Sequence, residues 1–296
     1  MAEKWLLTGG TGQVGLALQR LAPAGVEIVA PGRSELDLAN LPALDPSLEG
    51  VSAIISCGAY TAVDKAESEA DLAHAINAAA PGALARAAAR AGIPIIHAST
   101  DYVFAADGAG PSSEGAAIAP ASVYGRTKAE GEAAVQSSGA RYAIIRTAWV
   151  VSADGSNFIK TMLRLGAERD ALRVVADQRG TPTHAGDLAA ALAQIAARFT
   201  ADPTQVSGIW HCANAGETTW HGLAAQVFAS AASHGLKVPG TVEAITSAEY
   251  PTPAKRPADS RLNCSKIAID FGIRLRPWQE AVDEVVGQLA KQGTAA

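Results

Sequence analysis

The chain has 296 residues, a formal net charge of -5 at pH 7 and 48% hydrophobic residues, enough for one large domain plus a smaller lobe. The acidic balance and the lack of any lysine or arginine run argue against nucleic acid or an anionic membrane as the main partner. The cysteines match no metal spacing, and no apolar stretch approaches the roughly 20 residues of a membrane span. We therefore expect a cytoplasmic protein with structural cysteines.

Short apolar runs alternate with helical segments along the first two thirds of the chain. Trp5–Thr8 ends in glycines and is followed by apolar residues at helical spacing up to Pro23. An alanine-rich helical segment is Ala70–Ala91. The other apolar runs, four to six residues long and not alternating, are Val26–Ala30, Ala53–Cys57, Pro94–Ala98, Ala143–Arg146 and Ile209–Ala213. Strands that are apolar on both faces and separated by helices predict an α/β fold with a Rossmann-type doubly wound parallel sheet.

The pattern changes from about Ser152, where glycine and proline interrupt the alternation of strands and helices. We expect residues 1–150 to form a dinucleotide-binding domain. Residues 151–296 are expected to form mainly a smaller, interleaved C-terminal substrate lobe. Segments near 174–200 and 237–247 are expected to return to the first domain.

Glycines are concentrated between the first strand and the first helix. Gly10, Gly12 and Gly15 match G-x-G-x-x-G, and Gly9 with the last two matches G-x-x-G-x-x-G. With either spacing, glycine allows a sharp turn, close approach of backbone N–H groups to a pyrophosphate, and tight packing of helix on strand. This position predicts a dinucleotide site. Its expected members here are Gly9, Gly12, Gln13 and Val14.

The end of the second strand decides which dinucleotide fits, because a carboxylate there favours NAD and a cation favours NADP. The segment Pro31–Ser34 carries no acid, and Arg33 is placed to meet a 2′-phosphate with its planar fork of donors. On position alone, an exposed loop arginine is the alternative. We expect NADPH as the cofactor, with NADH also usable.

Tyr124 and Lys128 are four residues apart at the opening of a predicted helix, Thr127–Val135, so they share a helix face. An ammonium under the phenol is expected to lower the pKa of Tyr124 from about 10 toward the working range. The phenol would then protonate a carbonyl oxygen as hydride reaches its carbon. A surface pair without chemistry is the alternative for this spacing alone.

Hydroxyl groups follow the strand Pro94–Ala98, at Ser99 and Thr100. Ligands bind at the carboxyl edge of parallel sheets, so Thr100 is expected to donate a hydrogen bond to the same carbonyl oxygen. The alternative is that these hydroxyls cap a strand or turn. His97, inside the strand, is expected to be a structural histidine rather than a metal ligand.

Several motifs, taken in order, resemble a known family. The glycine turn, Ser99–Phe104 and the Tyr-x-x-x-Lys pair resemble the extended short-chain dehydrogenase/reductases. The fuller set resembles the dTDP-4-dehydrorhamnose reductase family nearly end to end. Its members here are Ala59–Glu67, Asn77, Ser99–Phe104, Tyr124–Lys128, Arg146–Val150, Asn157-Phe158, Asp177–Thr183 and Arg256-Pro257.

The resemblance implies reduction of dTDP-4-dehydro-β-L-rhamnose to dTDP-β-L-rhamnose, the last step of dTDP-rhamnose biosynthesis. It implies that Tyr124 protonates the C4 oxygen, that Lys128 holds the nicotinamide ribose and tunes the tyrosine, and that Thr100 bonds the carbonyl. It implies Asn77 as an active-site organiser, with a solvated polar residue as the alternative. Further residues implied at the cofactor are Asp37, Leu38, Ala59 and Thr61.

The resemblance also implies a set of residues at the dTDP-sugar. The flat face of Trp149 suits the apolar side of a deoxysugar, although an ordinary core tryptophan is the alternative. Arg256 is the best charge partner for the diphosphate. The full set is Thr100, Asp101, Tyr102, Trp149, Gln178, Thr181 and Arg256. Some members of the family use Mg²⁺ at a dimer contact, so the resemblance leaves a Mg²⁺ site and a homodimer open, with no carboxylates assigned.

Other functions remain as alternatives. One is another nucleotide-deoxysugar 4-ketoreductase, an epimerase or a dehydratase; the dehydratase is disfavoured because Asp101-Tyr102 stands where it would need Asp-Glu. Another is a non-catalytic, NADP-binding regulatory subunit of the methionine adenosyltransferase type. The presence of Thr100, Tyr124, Lys128 and Trp149 favours an enzyme.

Overall fold

The structure is a computed structural model that describes residues 2–40 and 48–293. Its strands are β1 (Glu3–Thr8), β2 (Val26–Val29), β3 (Val51–Ser56), β4 (Ile95–Thr100), β5 (Tyr142–Thr147), β6 (Val150–Val151), β7 (Ala171–Val175), β8 (Arg179–Gly180), β9 (Thr183–His184), β10 (Gly208–His211), β11 (Thr218–Thr219) and β12 (Thr241–Ile245). Its α-helices are α1 (Gln13–Arg20), α2 (Val63–Ala66), α3 (Ala70–His74), α4 (Ala80–Ala91), α5 (Val123–Gln136), α6 (Phe158–Glu168), α7 (Ala185–Ala201), α8 (Trp220–Ser233), α9 (Ser265–Phe271) and α10 (Trp278–Gln292). A π-helical turn, Ala75–Ala79, joins α3 to α4, and 3-10 turns lie at Asp101–Val103 and Ser247–Glu249.

One parallel sheet forms the centre of the described chain, with six strands in the order β10-β5-β4-β3-β1-β2. All the apolar runs predicted as strands lie in this sheet. The strand order reverses between β1 and β3, which opens a crevice at their carboxyl ends. The predicted doubly wound α/β fold is confirmed.

Both faces of this sheet are buried, because successive residues of a strand point to opposite sides. Leu7 and Ile55 pack with α1 and α7 on one face. Their neighbours Leu6 and Ile54 pack with α4 and the end of α5 on the other. This is why the strands are apolar without alternation.

A second core lies in the C-terminal part, where α6, α8 and α10 pack around β7. Strand β7 pairs in parallel with β12, outside the central sheet. The expected return of segment 237–247 to the first domain is therefore not observed. Helix α7, which falls in the expected segment 174–200, does pack on the central sheet, and β10 pairs with β5 in that sheet. The physical reason is that β12 is mostly exposed, with Ile245 as its buried residue, and does not suit a sheet covered on both faces.

The segment 251–263, which we call the strap, joins the two parts. Ala258 N donates to Ala106 O at 2.8 Å, and Arg179 N donates to Ala258 O at 2.8 Å. The strap thus fastens the loop after β4 to the second lobe and brings Arg256 beside the first domain. No helix in the described ranges is both long and apolar enough to cross a membrane.

Candidate active site

The glycine turn between β1 and α1 is packed against neighbouring backbone. Gly9 has a φ of +76°, and a Cβ there would lie 2.6 Å from Gly58 N. A Cβ on Gly15 would lie 2.1 Å from Gly9 O, and one on Gly10 would lie 2.8 Å from Ala30 Cβ. The packing therefore requires glycine at positions 9, 10 and 15, whereas a Cβ on Gly12 would meet only Gly9 O, at 3.3 Å.

A cleft of about 590 Å³ opens beside this turn. It lies at the point where the strand order reverses, which is where doubly wound sheets bind nucleotides. Every residue expected at the cofactor lines it, namely Gly9, Gly12, Gln13, Val14, Arg33, Asp37, Leu38, Ala59, Thr61, Tyr124 and Lys128. Residues that the sequence analysis did not assign to the cofactor also line it, among them Cys57, Gly58 and Ser99. Their common signal is their position at the ends of β3 and β4.

Arg33 follows the end of β2 with its side chain 76% exposed, and its Nε lies 3.5 Å from Asp37 Oδ1. An exposed pair of this kind is weak, so the guanidinium remains available to another anion. A cation and a carboxylate thus stand together at this end of the cleft. The cation suits a 2′-phosphate and the carboxylate suits a 2′-hydroxyl.

Gln13, the first residue of α1, ties the glycine turn to the second lobe. Its Oε1 accepts hydrogen bonds from Ser152 Oγ at 3.0 Å and from Asn157 Nδ2 at 2.9 Å. Asn157 in turn caps α6 through its Oδ1. The N-termini of α1 and α6 are therefore fixed to each other at one wall of the cleft.

Helix α5 carries Tyr124 and Lys128 into the cleft. Ser122 caps the helix by accepting a hydrogen bond from Gly125 N at 3.1 Å, so Tyr124 lies inside the first turn. The helix therefore begins earlier than the predicted start at Thr127. Both side chains are buried, with Tyr124 9% exposed and Lys128 2% exposed.

Asn77 lies in the π-helical turn and is fully buried, so it is not a solvated polar residue. Its amide accepts from Tyr60 N at 2.8 Å and donates to Tyr60 O at 3.1 Å. It also donates to Thr127 Oγ1 on α5 at 3.2 Å. This side chain thus fastens the loop that contains Ala59 and Thr61 to the helix of Tyr124, which fits the frequent use of π-helical turns at functional sites.

Burial raises the pKa of Tyr124 to about 12; a hydrogen bond with Thr100 opposes this rise, and the charge of Asp101 adds to it. The expected lowering of this pKa is therefore wrong. Desolvation of a phenolate in a buried site outweighs the other contributions. The tyrosine stays protonated at neutral pH, which is the form that donates a proton.

Lys128 is engaged on the side of β4. Its Nζ donates to Ala98 O at 2.7 Å and lies 3.3 Å from His97 Nε2. Burial lowers the pKa of Lys128 to about 8, while the charge of Glu132 opposes that lowering. Burying the charged form of Lys128 therefore costs free energy of desolvation.

Glu132 lies one turn after Lys128 and forms a buried ion pair with Arg146 at 2.6 Å, each side chain being at most 3% exposed. Its Oε1 also accepts a hydrogen bond from Ser99 Oγ at 2.5 Å. The sequence analysis missed this acid. Its signal was the spacing of four residues from Lys128, which places it on the same helix face.

Thr100 Oγ1 donates to Asp101 Oδ1 at 2.8 Å and accepts from Tyr102 N at 3.2 Å. Burial raises the pKa of Asp101 to about 6, although hydrogen bonds with Ser260 and Thr100 oppose the rise. Thr100 thus caps the 3-10 turn and also contacts Tyr124. The expected donation to a carbonyl oxygen requires its proton to turn away from Asp101.

The residues expected at the sugar nucleotide are less closely grouped. Trp149 has a φ of +47°, uncommon for a residue with a side chain, and stacks on Trp220 with ring centroids 3.6 Å apart. Trp220, which the sequence analysis missed, donates from Nε1 to Gln178 Oε1 at 3.1 Å.

Gly180 leaves space for the Trp149 ring, because a Cβ on Gly180 would lie 2.5 Å from that ring. Thr181 donates to Gly216 O at 2.8 Å, inside the second lobe.

Arg256 is already paired with a carboxylate. Its two terminal nitrogens donate to Asp64 at 3.0 and 2.7 Å, and this contact holds the pKa of Asp64 below its ordinary value. The strap and the Ala59–Glu67 motif therefore meet through this pair. Tyr102 lies with its ring edge-on to Tyr124, at a centroid distance of 5.4 Å.

A metal site is not apparent in the described part of the chain, where no three His, Cys, Asp or Glu side chains are grouped so as to hold an ion. The Mg²⁺ site therefore stays a prediction without assigned residues.

Known proteins match this chain over almost its whole length. A family model described as RmlD substrate binding domain matches residues 3–291. A dTDP-4-dehydrorhamnose reductase of Sinorhizobium fredii is 45% identical over 298 residues, which cover 98% of this chain and 99% of that protein. Another, of Shigella flexneri, is 43% identical over 291 residues, which cover 96% of this chain and 97% of that protein.

Solved structures of dTDP-4-dehydrorhamnose reductases have a fold similar to that of this chain. The dTDP-4-dehydrorhamnose reductase of Clostridium acetobutylicum has a TM-score of 0.89 at 38% identity, covering 97% of this chain and 99% of that one. That of Bacillus anthracis, solved in complex with NADP, has a TM-score of 0.88 at 33% identity, covering 97% of this chain and 100% of that one. The chain therefore belongs to the dTDP-4-dehydrorhamnose reductase family.

Proposed function

We propose that this protein uses NADPH to reduce the C4 ketone of dTDP-4-dehydro-β-L-rhamnose, giving dTDP-β-L-rhamnose. The observation that carries the proposal is that Tyr124 and Lys128 line the same cleft as the glycine turn. A proton donor and a turn suited to bind the pyrophosphate of the cofactor thus line the same cleft. The reductases that are similar over nearly the whole chain support the choice of substrate.

The chain's own residues manage the proton. NADPH bound along the glycine turn would supply the hydride that reaches the ketone carbon. Tyr124 gives its phenolic proton to the C4 oxygen, so that the carbonyl becomes a secondary alcohol. The raised pKa of about 12 keeps that proton on the phenol until the oxygen becomes basic. The ammonium of Lys128 then stabilises the phenolate that remains.

The choice of cofactor follows from the end of β2. Arg33 would bind the 2′-phosphate of NADPH, and Asp37 would accept a hydrogen bond from the 2′-hydroxyl of NADH. The NADP bound to the Bacillus anthracis relative supports NADPH. Both cofactors are thus expected to work, with NADPH preferred.

The substrate is expected to lie between the tyrosine and the second lobe. Trp149 would present the ring face that is not covered by Trp220 to the apolar side of the deoxysugar. Arg256 would bind the diphosphate after exchanging its bonds with Asp64 for bonds to phosphate oxygens. Gln178 and Thr181 would complete this side.

The direct experiment mixes the pure protein with NADPH and dTDP-4-dehydro-β-L-rhamnose and follows the absorbance of the reduced nicotinamide. We expect its loss in step with formation of dTDP-β-L-rhamnose, with deuterium at C4 of the sugar when the transferred hydrogen of NADPH is deuterium. Binding of NADPH without any turnover at high protein concentration would instead favour a non-catalytic, cofactor-binding protein.

A further inference from the structure

A row of hydrogen bonds runs from Lys128 away from the cleft and into the central sheet. Lys128 Nζ lies 3.3 Å from His97 Nε2, and His97 Nδ1 lies 3.1 Å from Ser56 Oγ. Ser56 on β3 and His97 on β4 are register partners in the parallel ladder. His97 is fully buried and Ser56 is 1% exposed. The imidazole therefore lies between the ammonium of Lys128 and the hydroxyl of Ser56, which is also its register partner.

The charge on Lys128 decides the form of His97. An ammonium only donates hydrogen bonds, so Nε2 must accept and the ring proton must be on Nδ1, directed at Ser56 Oγ. Burial, with the nearby ammonium of Lys128, lowers the pKa of His97 well below its ordinary value. A neutral histidine thus supplies an acceptor without adding a second buried positive charge.

The donors of Lys128 can be accounted for individually. An ammonium has three N–H bonds. One points to Ala98 O at 2.7 Å and a second to His97 Nε2. Because the side chain also lines the cleft, the third is left for a ligand there.

We propose that His97 is a positioning residue, which holds the ammonium of Lys128 so that its remaining N–H points at a ribose hydroxyl of the dinucleotide in the cleft. The assignment of that ligand rests on the proposed function. His97 acts through Lys128 and not on the ligand itself. Ser56 fixes the tautomer that makes this possible.

The charges around this pair indicate what loss of the acceptor would do. Burial lowers the pKa of Lys128, and the charge of Glu132 on α5 opposes that lowering; Cys57 after β3, whose own pKa burial raises to about 12, faces Lys128 as a neutral thiol. Without the acceptor at position 97, less remains to offset burial, so the pKa of Lys128 falls further. Activity that depends on the ammonium would then be lost at a lower pH.

Two substitutions distinguish the hydrogen bond that His97 makes through Nε2 from the one that it makes through Nδ1. In His97→Gln the amide reaches the position of Nε2 and keeps an acceptor for Lys128, whereas in His97→Asn it reaches the position of Nδ1 and keeps only the bond to Ser56. We expect His97→Asn to weaken NADPH binding about 10-fold and His97→Gln at most about 3-fold, because a bond to a charged group is lost only in the first. The alkaline limb of kcat should move down by about one pH unit in His97→Asn and stay in place in His97→Gln.

NADPH binding is measured from nicotinamide fluorescence without any sugar, so an incorrect substrate leaves this test intact, while a wild-type protein that binds no NADPH contradicts the proposed function itself. The midpoint temperature of thermal unfolding, measured without cofactor, shows how much each substitution destabilises the protein. Equal losses of affinity in both variants, in proportion to their midpoints, would mean that the ring only fills space and would overturn the proposal. Should His97→Asn fail to fold, Ser56→Ala takes its place. A roughly twofold to threefold weaker affinity is then expected, and an unchanged affinity and pH profile would overturn the proposal.

Discussion

The cofactor cleft and the proposed substrate side hold their functional groups in different ways. At the glycine turn of the cleft, backbone packing sets the geometry, as at Gly15, where a Cβ would lie 2.1 Å from the carbonyl oxygen of Gly9. On the substrate side, side chains are held by one another, with Arg256 on Asp64 and Trp149 on Trp220. The first arrangement is complete before a ligand binds, whereas in the second a diphosphate at Arg256 would have to replace the bonds of that arginine to Asp64.

The largest effect is expected from a substitution in the glycine turn, whose geometry is set before any ligand binds. Gly15→Ala forces a methyl group into the Gly9 carbonyl and displaces the start of α1. The free energy of unfolding should fall by about 3 kcal/mol, and NADPH binding should become undetectable by fluorescence titration. Gly115→Ala is the matched control, because a Cβ there meets no atom within 4 Å. Normal NADPH binding by Gly15→Ala would show that the turn does not hold the pyrophosphate.

Tyr124→Phe tests whether proton donation can be lost without loss of cofactor binding. Removal of the phenolic proton should lower kcat at least about 100-fold, while the Kd for NADPH stays nearly constant because the glycine turn is untouched. Tyr142→Phe, which removes a phenol at the amino end of β5, is the control. If turnover by the phenylalanine variant is retained, another group donates the proton.

The cleft could be predicted from sequence because its determinants are local. The apolar run of β1, the glycines and the start of α1 lie within about a dozen consecutive residues, and each depends mainly on its neighbours. Tyr124 and Lys128 share a helix face for the same reason. The carboxyl edge of a parallel sheet then brings these segments together.

The rest depends on long-range contacts that no local pattern contains. Arg256 and Asp64 are 192 positions apart, so their pairing appears only when the strap crosses to the first domain. The direction of the pKa shift of Tyr124 was missed because spacing reveals the nearby lysine but not the burial, which outweighs it. Strand β12 was misplaced because a short segment does not reveal which strand it pairs with.

Two substitutions test whether the substrate side must exchange its contacts. Arg256→Gln should raise the KM for the sugar nucleotide about 10-fold, through loss of a charged bond to phosphate, with the Kd for NADPH unchanged. Asp64→Asn keeps an acceptor for Ala254 N but releases the arginine, so the KM should fall or stay constant. A KM that rises equally in both variants would mean that the pair is a structural clamp between strap and first domain.

The smallest effect is expected at Arg33, because its side chain is 76% exposed and solvent screens its charge. Arg33→Ala should weaken NADPH binding by about 3-fold to 10-fold at low salt, and by less at high salt, while leaving NADH binding unchanged. Asp37→Asn should act in the opposite sense, favouring NADPH, because it removes the carboxylate beside the 2′-phosphate.

Fluorescence titrations with both cofactors at two salt concentrations distinguish a 2′-phosphate contact from a general one. A phosphate contact changes the ratio of the two affinities, since only NADPH carries that group. Equal weakening for NADH and NADPH would place Arg33 against the adenosine or the pyrophosphate, which both cofactors share. In that case Asp37, and not the arginine, would govern the choice of cofactor, and NADH would be preferred.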